Sequence, residues 1–519
     1  MDTNFSRHRK GGIIILDFGS QYNQLIARRV RESGVYAEIL PFDTPLEQIK
    51  AKNPSGIILS GGPSSVYAPD AHLISKEIFD LDIPVLGICY GMQLITYLLG
   101  GTVDKGKIGE YGKSIFYKDL QHPLLEEVPD KSVVWMSHFD EVKQLPEGFS
   151  VLGHTDTCVA GMANDKRKIY AVQFHPEVNH TVYGKQILQN FVHRICQART
   201  NWDLQDYIET AVAKIKQVVG SRKVVLGLSG GVDSSVAATL IHKAIGNRLT
   251  CIFVDTGLLR KDEAKKVMET YGKHFRMQIK HIDAGERFLS ALKGITEPEE
   301  KRKIVGKIFV DVFNEEAAKI QDVSFLAQGT IYPDIIESKS SKGGPSATIK
   351  SHHNVGGLPD DMKLELLEPL KELFKDEVRR IGLKLGIPEE MIMRHPFPGP
   401  GLAIRILGEV TGEKVKILQE ADAIFIEELY RNGLYDKVSQ AFVVLLPVKS
   451  VGVMGDERTY AYTAVIRSAD TLDFMTATWS RLPYDFLDKV SGRIINEVKG
   501  INRVVYDISS KPPATIEWE

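Results

Sequence analysis

The stretch that most constrains the fold of this 519-residue chain is a loop rich in glycine and serine. It reads S-G-G-V-D-S over residues 229–234, after an apolar run at residues 224–228 and before a helix-like run. Gly230 and Gly231 let the backbone curl without a Cβ clash. A strand, a glycine loop and a helix in this order present backbone N–H groups and a helix N-terminus to an anion. The sequence therefore predicts a phosphate-binding loop, the alternative being a turn that merely joins two elements.

The chemistry of this loop favours ATP cleavage over phosphate transfer. The loop lacks the lysine of the G-x-x-x-x-G-K-[ST] motif, which argues against a kinase or a GTPase. Its S-G-G-x-D-S pattern resembles the pyrophosphate loop of the ATP pyrophosphatase family, whose members cleave ATP between the α- and β-phosphates. The ATP site implied by this resemblance consists of seven consecutive residues: Ser229, Gly230, Gly231, Val232, Asp233, Ser234 and Ser235.

Only one metal is expected from the sequence. Mg²⁺ should accompany ATP because it bridges phosphate oxygens, and Asp233 is the candidate that holds the ion or positions the loop. His352 and His353 are adjacent and lack the spacing of a transition-metal site. No organic cofactor is expected.

Composition limits the partners. The net charge is −2, which argues against a nucleic acid or a membrane surface as partner. The cysteines have no C-x-x-C spacing, which suits a reducing compartment and speaks against a zinc ribbon. The N-terminus lacks the apolar core of a signal peptide, and no apolar run is long enough to span a membrane. We therefore expect a cytoplasmic protein. The four cysteines are Cys89, Cys158, Cys196 and Cys251.

A cysteine in the N-terminal part carries the signature of a nucleophile. Short apolar runs alternate there with helix-like runs, which predicts a parallel, doubly wound sheet with ligands at the carboxyl ends of its strands. Residues 87–91, G-I-C-Y-G, are the thiol version of the G-x-S-x-G nucleophile elbow. The helix that follows points its N-terminus at Cys89 and should favour the thiolate. We interpret Cys89 as a nucleophile rather than a buried structural cysteine.

A nucleophilic cysteine needs a base, and residues 175–177, H-P-E, supply one. Residues two apart in an extended segment point the same way, so Glu177 can orient His175. His175 can then act on Cys89 if the fold brings the two segments together. Alone, a His-Pro-Glu sequence is equally compatible with a surface loop.

Together the elbow and the H-P-E segment resemble a class I glutamine amidotransferase domain. In that family the cysteine attacks the side-chain amide of glutamine, and ammonia leaves. The resemblance implies an oxyanion hole made by the backbone N–H groups of Gly61 and Tyr90. It also implies a glutamine pocket lined by residues 137–140, in which Phe139 stands where similar members usually have glycine.

The predicted fold class is α/β, with two doubly wound parallel-sheet domains followed by a smaller α+β domain. The predicted domains are residues 12–202 (amidotransferase), 203–394 (ATP pyrophosphatase) and 395–519 (dimerisation and binding of the substrate that is aminated). The few strands of the last domain leave a face or edge to cover, which suggests a homodimer. The long polar stretch at residues 338–351 is expected to be an active-site lid, the alternative being a disordered surface loop.

The whole chain resembles the GMP synthetase family, whose members aminate xanthosine monophosphate (XMP) with ammonia from glutamine. Its most specific stretches are residues 327–334, 350–357, 395–402 and 511–517, and Ala403 and Glu457 depart from common glycines. The resemblance implies glutamine, ATP and XMP as substrates. ATP would adenylate the C2 oxygen of XMP with release of pyrophosphate, and ammonia would displace AMP. The implied XMP contacts are Arg302, Gln440, Arg503, Lys511, Ile516 and Glu517.

Two other classes of protein remain open at this point. A different ATP pyrophosphatase, such as a tRNA-thiolating or an NAD-forming enzyme, would share the 229–235 loop, although a tRNA enzyme should show a basic face. A non-catalytic nucleotide-binding scaffold would be expected to lack Cys89, His175 or Asp233, and all three are present.

Overall fold

The computed structural model describes residues 11–519 except residue 21 and residues 341–363, 455–456, 472–473 and 475. The chain forms two compact units, Met1–Thr210 and Ala211–Glu519. The predicted lid lies outside the described residues from position 341 onward. The three predicted domains stay a prediction, since the second unit contains both the 211–394 and the 395–519 segments.

In the first unit, nine strands belong to one sheet in the order β2-β1-β3-β4-β9-β8-β7-β5-β6. The β2-β1-β3-β4-β9 half is parallel, and the remaining pairs are antiparallel. The strands are β1 (Ile13–Asp17), β2 (Ala37–Pro41), β3 (Gly56–Leu59), β4 (Val85–Ile88), β5 (Thr102–Lys118), β6 (Lys131–Gln144), β7 (Ser150–His154), β8 (Val159–Asn164) and β9 (Ile169–Val172).

Four α-helices lie within the described part of this unit, and a fifth crosses its boundary: α1 (Asn23–Glu32), α2 (Leu46–Ala51), α3 (Tyr90–Leu98), α4 (Gly184–Gln189) and α5 (Leu204–Val219). Shorter helical turns occur at Lys76–Asp80, Pro123–Leu125 and Asn190–Ile195. Strands β3, β4 and β9 are buried along their whole length, as expected for the centre of a parallel sheet covered on both faces. This half confirms the predicted doubly wound sheet, and the antiparallel extension is an addition that the sequence did not predict.

The second unit contains a five-stranded parallel sheet, β12-β11-β10-β13-β14, and a four-stranded sheet in which β16 pairs with β15, β17 and β18. The parallel sheet and the largely antiparallel C-terminal sheet confirm the predicted fold class. The strands are β10 (Lys223–Gly227), β11 (Leu249–Asp255), β12 (Gln278–Asp283), β13 (Val323–Ala327), β14 (Glu365–Leu367), β15 (Gln440–Met454), β16 (Glu457–Asp470), β17 (Thr478–Trp479) and β18 (Ile501–Asp507).

One apolar core joins the two sheets of this unit. It includes Val225 and Ile252 from the parallel sheet and Val443 and Ile466 from the other. The α-helices are α6 (Val232–Ile245), α7 (Glu263–Val267), α8 (Gly285–Ala291), α9 (Pro298–Ala318), α10 (Tyr332–Ser340), α11 (Lys375–Lys384), α12 (Glu389–Ile392), α13 (Gly412–Arg431) and α14 (Tyr484–Glu497). Shorter helical turns occur at Gly246–Arg248, Met268–His274, Gly401–Arg405 and Tyr435–Lys437.

Candidate active sites

Cys89 lies on a tight turn between β4 and α3. Its backbone has φ 52° and ψ −106°, a conformation that side-chain-bearing residues rarely adopt outside functional turns. A Cβ at Gly91 would lie 2.4 Å from the carbonyl oxygen of Leu59, and a Cβ at Gly87 would lie 2.6 Å from the Gly91 carbonyl. Both glycines are therefore required for the close approach of α3 to the sheet. The turn has the shape predicted for a nucleophile elbow.

The structure brings His175 and Glu177 together beneath this turn. His175 follows β9 and donates its Nδ1–H to Glu177 Oε1 over 2.8 Å. Burial lowers the pKa of His175, but the charge on Glu177 and the interactions with Cys89 raise it by more, so the net pKa lies well above its ordinary value. The contact with Cys89 completes a buried Cys–His–Glu arrangement, which is the geometry of an activated nucleophile.

Further polar groups surround the thiol. Gln173 donates from Nε2 to Cys89 Sγ at 3.7 Å, and the Cys89 S–H points at the Ser137 carbonyl oxygen at 3.8 Å. A Cβ at Gly61 would be 3.3 Å from His175 Cε1 and 3.8 Å from Cys89 Cβ, so this glycine borders the same space. Tyr90 opens α3, where helical N–H groups have no intrahelical partner.

Residues 137–140 belong to β6. The Asp140 carbonyl oxygen accepts from Gln93 Nε2 and from His138 Nδ1, each at 3.0 Å. The Asp140 carboxylate accepts from the Tyr67 hydroxyl at 2.9 Å. Phe139 is on the opposite, exposed face of the strand, with the Lys105 ammonium 5.1 Å from its ring centroid. The phenylalanine that stands at position 139 in place of the usual glycine therefore points to solvent.

The predicted ATP loop leaves β10 and enters α6. Its conformation is fixed by its own hydroxyls: the Gly231 N–H donates to Ser229 Oγ at 3.3 Å, and Ser229 Oγ lies 3.0 Å from Ser234 Oγ. Gly230 has φ 73°, which only glycine adopts readily. The Arg394 guanidinium donates to the Gly230 carbonyl oxygen at 2.8 Å. The loop is thus a closed turn in front of a helix N-terminus, as an anion site requires.

Asp233 forms an ion pair with a lysine. Lys375 Nζ lies 2.5 Å from Asp233 Oδ2, while Asp233 Oδ1 is buried and has no hydrogen-bond partner among the described residues. A Cβ at Gly329, just after β13, would lie 2.9 Å from the Asp233 carbonyl carbon. The stretch at residues 327–334 is therefore packed directly against the start of α6.

The C-terminal tail is held by buried charge. Arg405 is fully buried and makes a two-pronged contact with Glu517, from Nη2 to Oε1 at 2.8 Å and from Nε to Oε2 at 3.1 Å. Gln440 Nε2 donates to the same carboxylate at 2.7 Å. Ile516 is in an apolar cluster with residues of β15 and β16, including Phe442 and Val465. The structure therefore brings Gln440, Ile516 and Glu517 together.

Of the other predicted XMP contacts, Arg302 and Lys511 belong to or contact this tail, whereas Arg503 contacts another part of the C-terminal sheet. Arg302 donates to the Glu519 carbonyl oxygen. Lys511 exchanges backbone hydrogen bonds with Ala477. Arg503 donates instead to Ser450 Oγ at 3.2 Å, on an exposed part of the C-terminal sheet.

Three protein-family models match the chain, and each match contains one of the predicted sites. Residues 14–195 match glutamine amidotransferase class-I, residues 202–306 match NAD synthase, and residues 427–518 match the GMP synthase C terminal domain. The second match covers the ATP loop, and the third covers the tail around Glu517.

Curated relatives extend over nearly the whole chain. A GMP synthase [glutamine-hydrolyzing] of Fusobacterium nucleatum is 66% identical over 98% of this chain and 100% of its own length. Proteins of the same name from Spiroplasma kunkelii and Clostridium tetani are 60% and 56% identical, over 98% of this chain and 99% and 100% of their own lengths. This chain belongs to the glutamine-hydrolysing GMP synthase family. The membership confirms the predicted enzyme class, a ligase of purine biosynthesis with an amidotransferase domain and an ATP-binding domain.

Several groups at the two sites of this GMP synthase family member were not singled out from the sequence. Gln173 is two residues before the predicted base, so alternation along the extended segment was a usable signal. Gly329 lies in the 327–334 stretch, in which only the family resemblance carries a signal. Lys375, Arg394 and Arg405 carried no local signal, because an isolated basic residue usually reads as solvated surface. Across the described part of the chain, no helix combines the length and apolar character needed to cross a membrane.

Proposed function

We propose that the chain converts XMP to GMP by coupling glutamine hydrolysis in the first unit to ATP-driven amination in the second. The observation that carries this proposal is the buried Cys89–His175–Glu177 arrangement in a chain that also has the S-G-G-V-D-S loop. Glutamine, ATP and XMP are then the substrates.

In the first unit, Cys89 Sγ attacks the side-chain carbonyl carbon of glutamine. His175 takes the thiol proton and donates it to the amide nitrogen of glutamine, which leaves as ammonia, while Glu177 keeps the imidazole oriented through Nδ1. The developing oxyanion is stabilised by the backbone N–H groups of Gly61 and Tyr90. Water then attacks the thioester, glutamate leaves, and the thiol is restored.

In the second unit, the N–H groups and hydroxyls of residues 229–235 bind the β- and γ-phosphates of ATP as they depart as pyrophosphate. The XMP C2 oxygen attacks the α-phosphate, and ammonia displaces AMP at C2. The unpartnered Asp233 Oδ1 fits a magnesium ligand, because a carboxylate oxygen is what Mg²⁺ prefers. Mg²⁺ held there would neutralise phosphate charge. Lys375 is positioned to release the Asp233 carboxylate and to pair with an ATP phosphate instead.

XMP is proposed to bind beside the C-terminal tail, through the six contacts named from the family resemblance. The arrangement around Glu517 supports this, since a carboxylate held by Arg405 and Gln440 is fixed in place to accept from purine N–H groups. The basic side chains of Arg302, Arg503 and Lys511 suit the XMP phosphate.

We further propose a homodimer that forms through residues 395–519 and acts in the cytoplasm. Val451, Val453 and Tyr460 of the C-terminal sheet are 61%, 72% and 69% exposed, an unusual run of apolar surface for a monomer. All four cysteines are free thiols, which suits a reducing compartment. Sedimentation of the parent protein and of a Val453→Glu, Tyr460→Glu double variant tests the dimer.

The function is tested by supplying XMP and ATP with either glutamine or ammonium and measuring GMP, AMP and pyrophosphate. We expect the three products in equal amounts with both nitrogen sources. Because residues 202–306 match NAD synthase, the same assay with a nicotinate dinucleotide in place of XMP is the decisive comparison. Amidation of the dinucleotide but not of XMP would contradict the proposal.

A further inference from the structure

Three side chains that take no part in these chemical steps meet on the antiparallel half of the first sheet. Glu110 of β5 and His138 of β6 are directly opposite each other in the strand pairing. Cys158 precedes β8 and completes the group. Glu110 Oε2 lies 3.4 Å from His138 Nε2 and 3.7 Å from Cys158 Sγ, and Cys158 Sγ lies 3.9 Å from His138 Nε2.

These separations match those of ligands around one small cation. Tetrahedral zinc, with bonds of about 2.0–2.1 Å to nitrogen or oxygen and about 2.3 Å to sulfur, separates its N and O donors by about 3.4 Å and its S donor from either by about 3.6 Å. The carboxylate, imidazole and thiol are a typical donor set for such an ion. One ion at the centre of the triangle would contact all three atoms after shifts of a few tenths of an ångström.

The surroundings orient these donors as metal ligands are usually oriented. His138 donates its Nδ1–H to the Asp140 carbonyl oxygen at 3.0 Å, which directs Nε2 at the cluster. Glu110 Oε2 accepts from Thr157 Oγ1 at 2.6 Å and from Thr155 Oγ1 at 3.2 Å. His138 and Cys158 are 8% and 9% exposed, so two of the three donors are shielded from bulk water.

A cavity beside the cluster gives an ion access. It has a volume of about 350 Å³, and its lining includes Glu110, Thr155, Asp156 and Thr157. Water or a side chain in this cavity can occupy the fourth position of a tetrahedral site. We propose that Glu110, His138 and Cys158 bind a divalent transition-metal ion of the zinc class.

The site is separate from the Cys89 thiol, although a residue adjacent to one of its proposed ligands contacts that thiol. Ser137, next to His138, directs its carbonyl oxygen at Cys89 Sγ, whereas the His138 side chain points to Cys158. The catalytic triad is itself a Cys–His–Glu group, so metal binding to Cys89 has to be removed from the test. Every titration is therefore made in a Cys89→Ala background.

The probe is Co²⁺, whose bond to a thiolate gives a charge-transfer absorption, with Zn²⁺ as its competitor. Full-length Cys89→Ala protein is stripped with a chelator and titrated against a chromophoric chelator of known affinity. We expect one equivalent bound and a thiolate absorption. Adding Cys158→Ser should abolish the absorption and weaken binding by at least roughly 100-fold, because even losing an outer partner of a metal ligand costs 10–100-fold.

Cys196→Ser, made in the same background, is the matched control and should leave both readouts unchanged. Glu110→Gln keeps the side-chain shape and serves if Cys158→Ser does not fold. The proposal is overturned if Cys89→Ala protein binds no stoichiometric metal. It is equally overturned if binding survives both Cys158→Ser and His138→Gln. Lower thermal stability of these variants without any metal binding would mean that the three groups form a metal-free charge network.

Discussion

The amidotransferase site and the ATP loop differ in how their polar groups are held. In the first unit, Cys89, His175 and Glu177 are 6%, 4% and 0% exposed and contact one another. In the second unit, Asp233 and Lys375 form an ion pair whose side chains are 29% and 45% exposed. The polar groups of the first site are buried against one another, whereas those of the second form a partly exposed ion pair.

The difference follows from the chemistry proposed for each site. Attack by a thiol needs donor and acceptor at fixed short distances before the substrate arrives, and burial preserves those distances. A site for two anionic nucleotides has to receive large charges and release them again. A partly exposed ion pair costs little to break, so Lys375 can leave Asp233 for a phosphate. Substitutions should therefore have sharply local effects in the first unit and shared effects in the second.

Cys89→Ala should give the largest difference between the activities of the two sites. Glutamine-dependent synthesis should fall by roughly 10⁴-fold or more, because no other group replaces the nucleophile. Ammonium-dependent synthesis should stay at the parent level, since the second unit is intact. Both rates are measured on one preparation, with Cys196→Ser as a thiol control. Parent-level glutamine hydrolysis by the Cys89→Ala protein would show that the nucleophile is another residue.

Gly329→Ala should produce the opposite pattern, a loss with both nitrogen sources. Its new Cβ would lie 2.9 Å from the Asp233 carbonyl carbon, which is backbone and cannot rotate away. Displacing the loop by part of an ångström should lower synthesis by roughly 10²-fold. Gly306→Ala is the control, because a Cβ there has no heavy atom within 4 Å. AMP formation is the readout, and equal rates for the two variants would refute a role for this contact.

The parts of the molecule that could be predicted share a local signal. Strands β3, β4 and β9 are buried throughout and are correspondingly apolar, so the sequence marks them clearly. Strand β6 alternates between buried and exposed residues. Three of its buried positions are polar, Ser132, His138 and Asp140, so the sequence does not show the alternation of apolar and polar residues that would predict a strand. The elbow and the ATP loop each carry their chemistry within a few consecutive residues.

Contacts between distant segments could not be predicted in the same way. Lys375 is 142 residues from Asp233, and nothing in the sequence around either one indicates the pair. Glu110, His138 and Cys158 come together only after β5 and β6 pair, so no spacing rule for metal ligands applies to them. Arg405 and Glu517 likewise meet through the fold of the tail.

Glu177→Gln tests how Glu177 acts on His175, through the pH dependence of glutamine hydrolysis. The charge of Glu177 helps to hold the pKa of His175 well above its ordinary value, so the imidazolium persists to higher pH. Removing that charge lowers the pKa. Glutamine hydrolysis requires the imidazolium to protonate the leaving amide nitrogen, so this activity should be lost at lower pH than in the parent. Glutamine hydrolysis near neutral pH should fall by roughly 10–50-fold, less than for complete loss of acid–base catalysis.

The pH profile of glutamine hydrolysis is compared with that of ammonium-dependent synthesis, which should not move. An alkaline limb that stays in place would show that Glu177 acts on the position of His175 and not on its protonation.

Glu517→Gln tests whether the tail belongs to the XMP site. The substitution leaves the fully buried Arg405 without a countercharge, which should loosen the tail. Loss of a charge-assisted hydrogen bond should raise the XMP concentration needed for half-maximal rate by about 10-fold. Glu497→Gln, which removes a carboxylate from a surface ion pair, is the control. An XMP titration with ammonium is the measurement, and identical curves would make the tail a purely structural element.

The smallest effects should come from two helix caps, one in each unit. Thr411 Oγ1 accepts from the Lys414 N–H at the start of α13, and Ser75 Oγ accepts from the Glu77 N–H in the first unit, each at 3.3 Å. Replacing either by alanine should cost about 1 kcal/mol of unfolding free energy. In units of this size that corresponds to a melting-temperature shift of about 2–4 °C.

If the two units unfold separately, each substitution should affect one activity. Thr411→Ala should lower the temperature at which ammonium-dependent synthesis is lost after brief heating, and it should leave glutamine hydrolysis at the parent temperature. Ser75→Ala should do the reverse. Both activities are measured after the same heating series, so each variant is the other's control. A parallel loss of both activities in both variants would mean that the chain unfolds as one cooperative body, and the contrast between the sites would then be one of local burial alone.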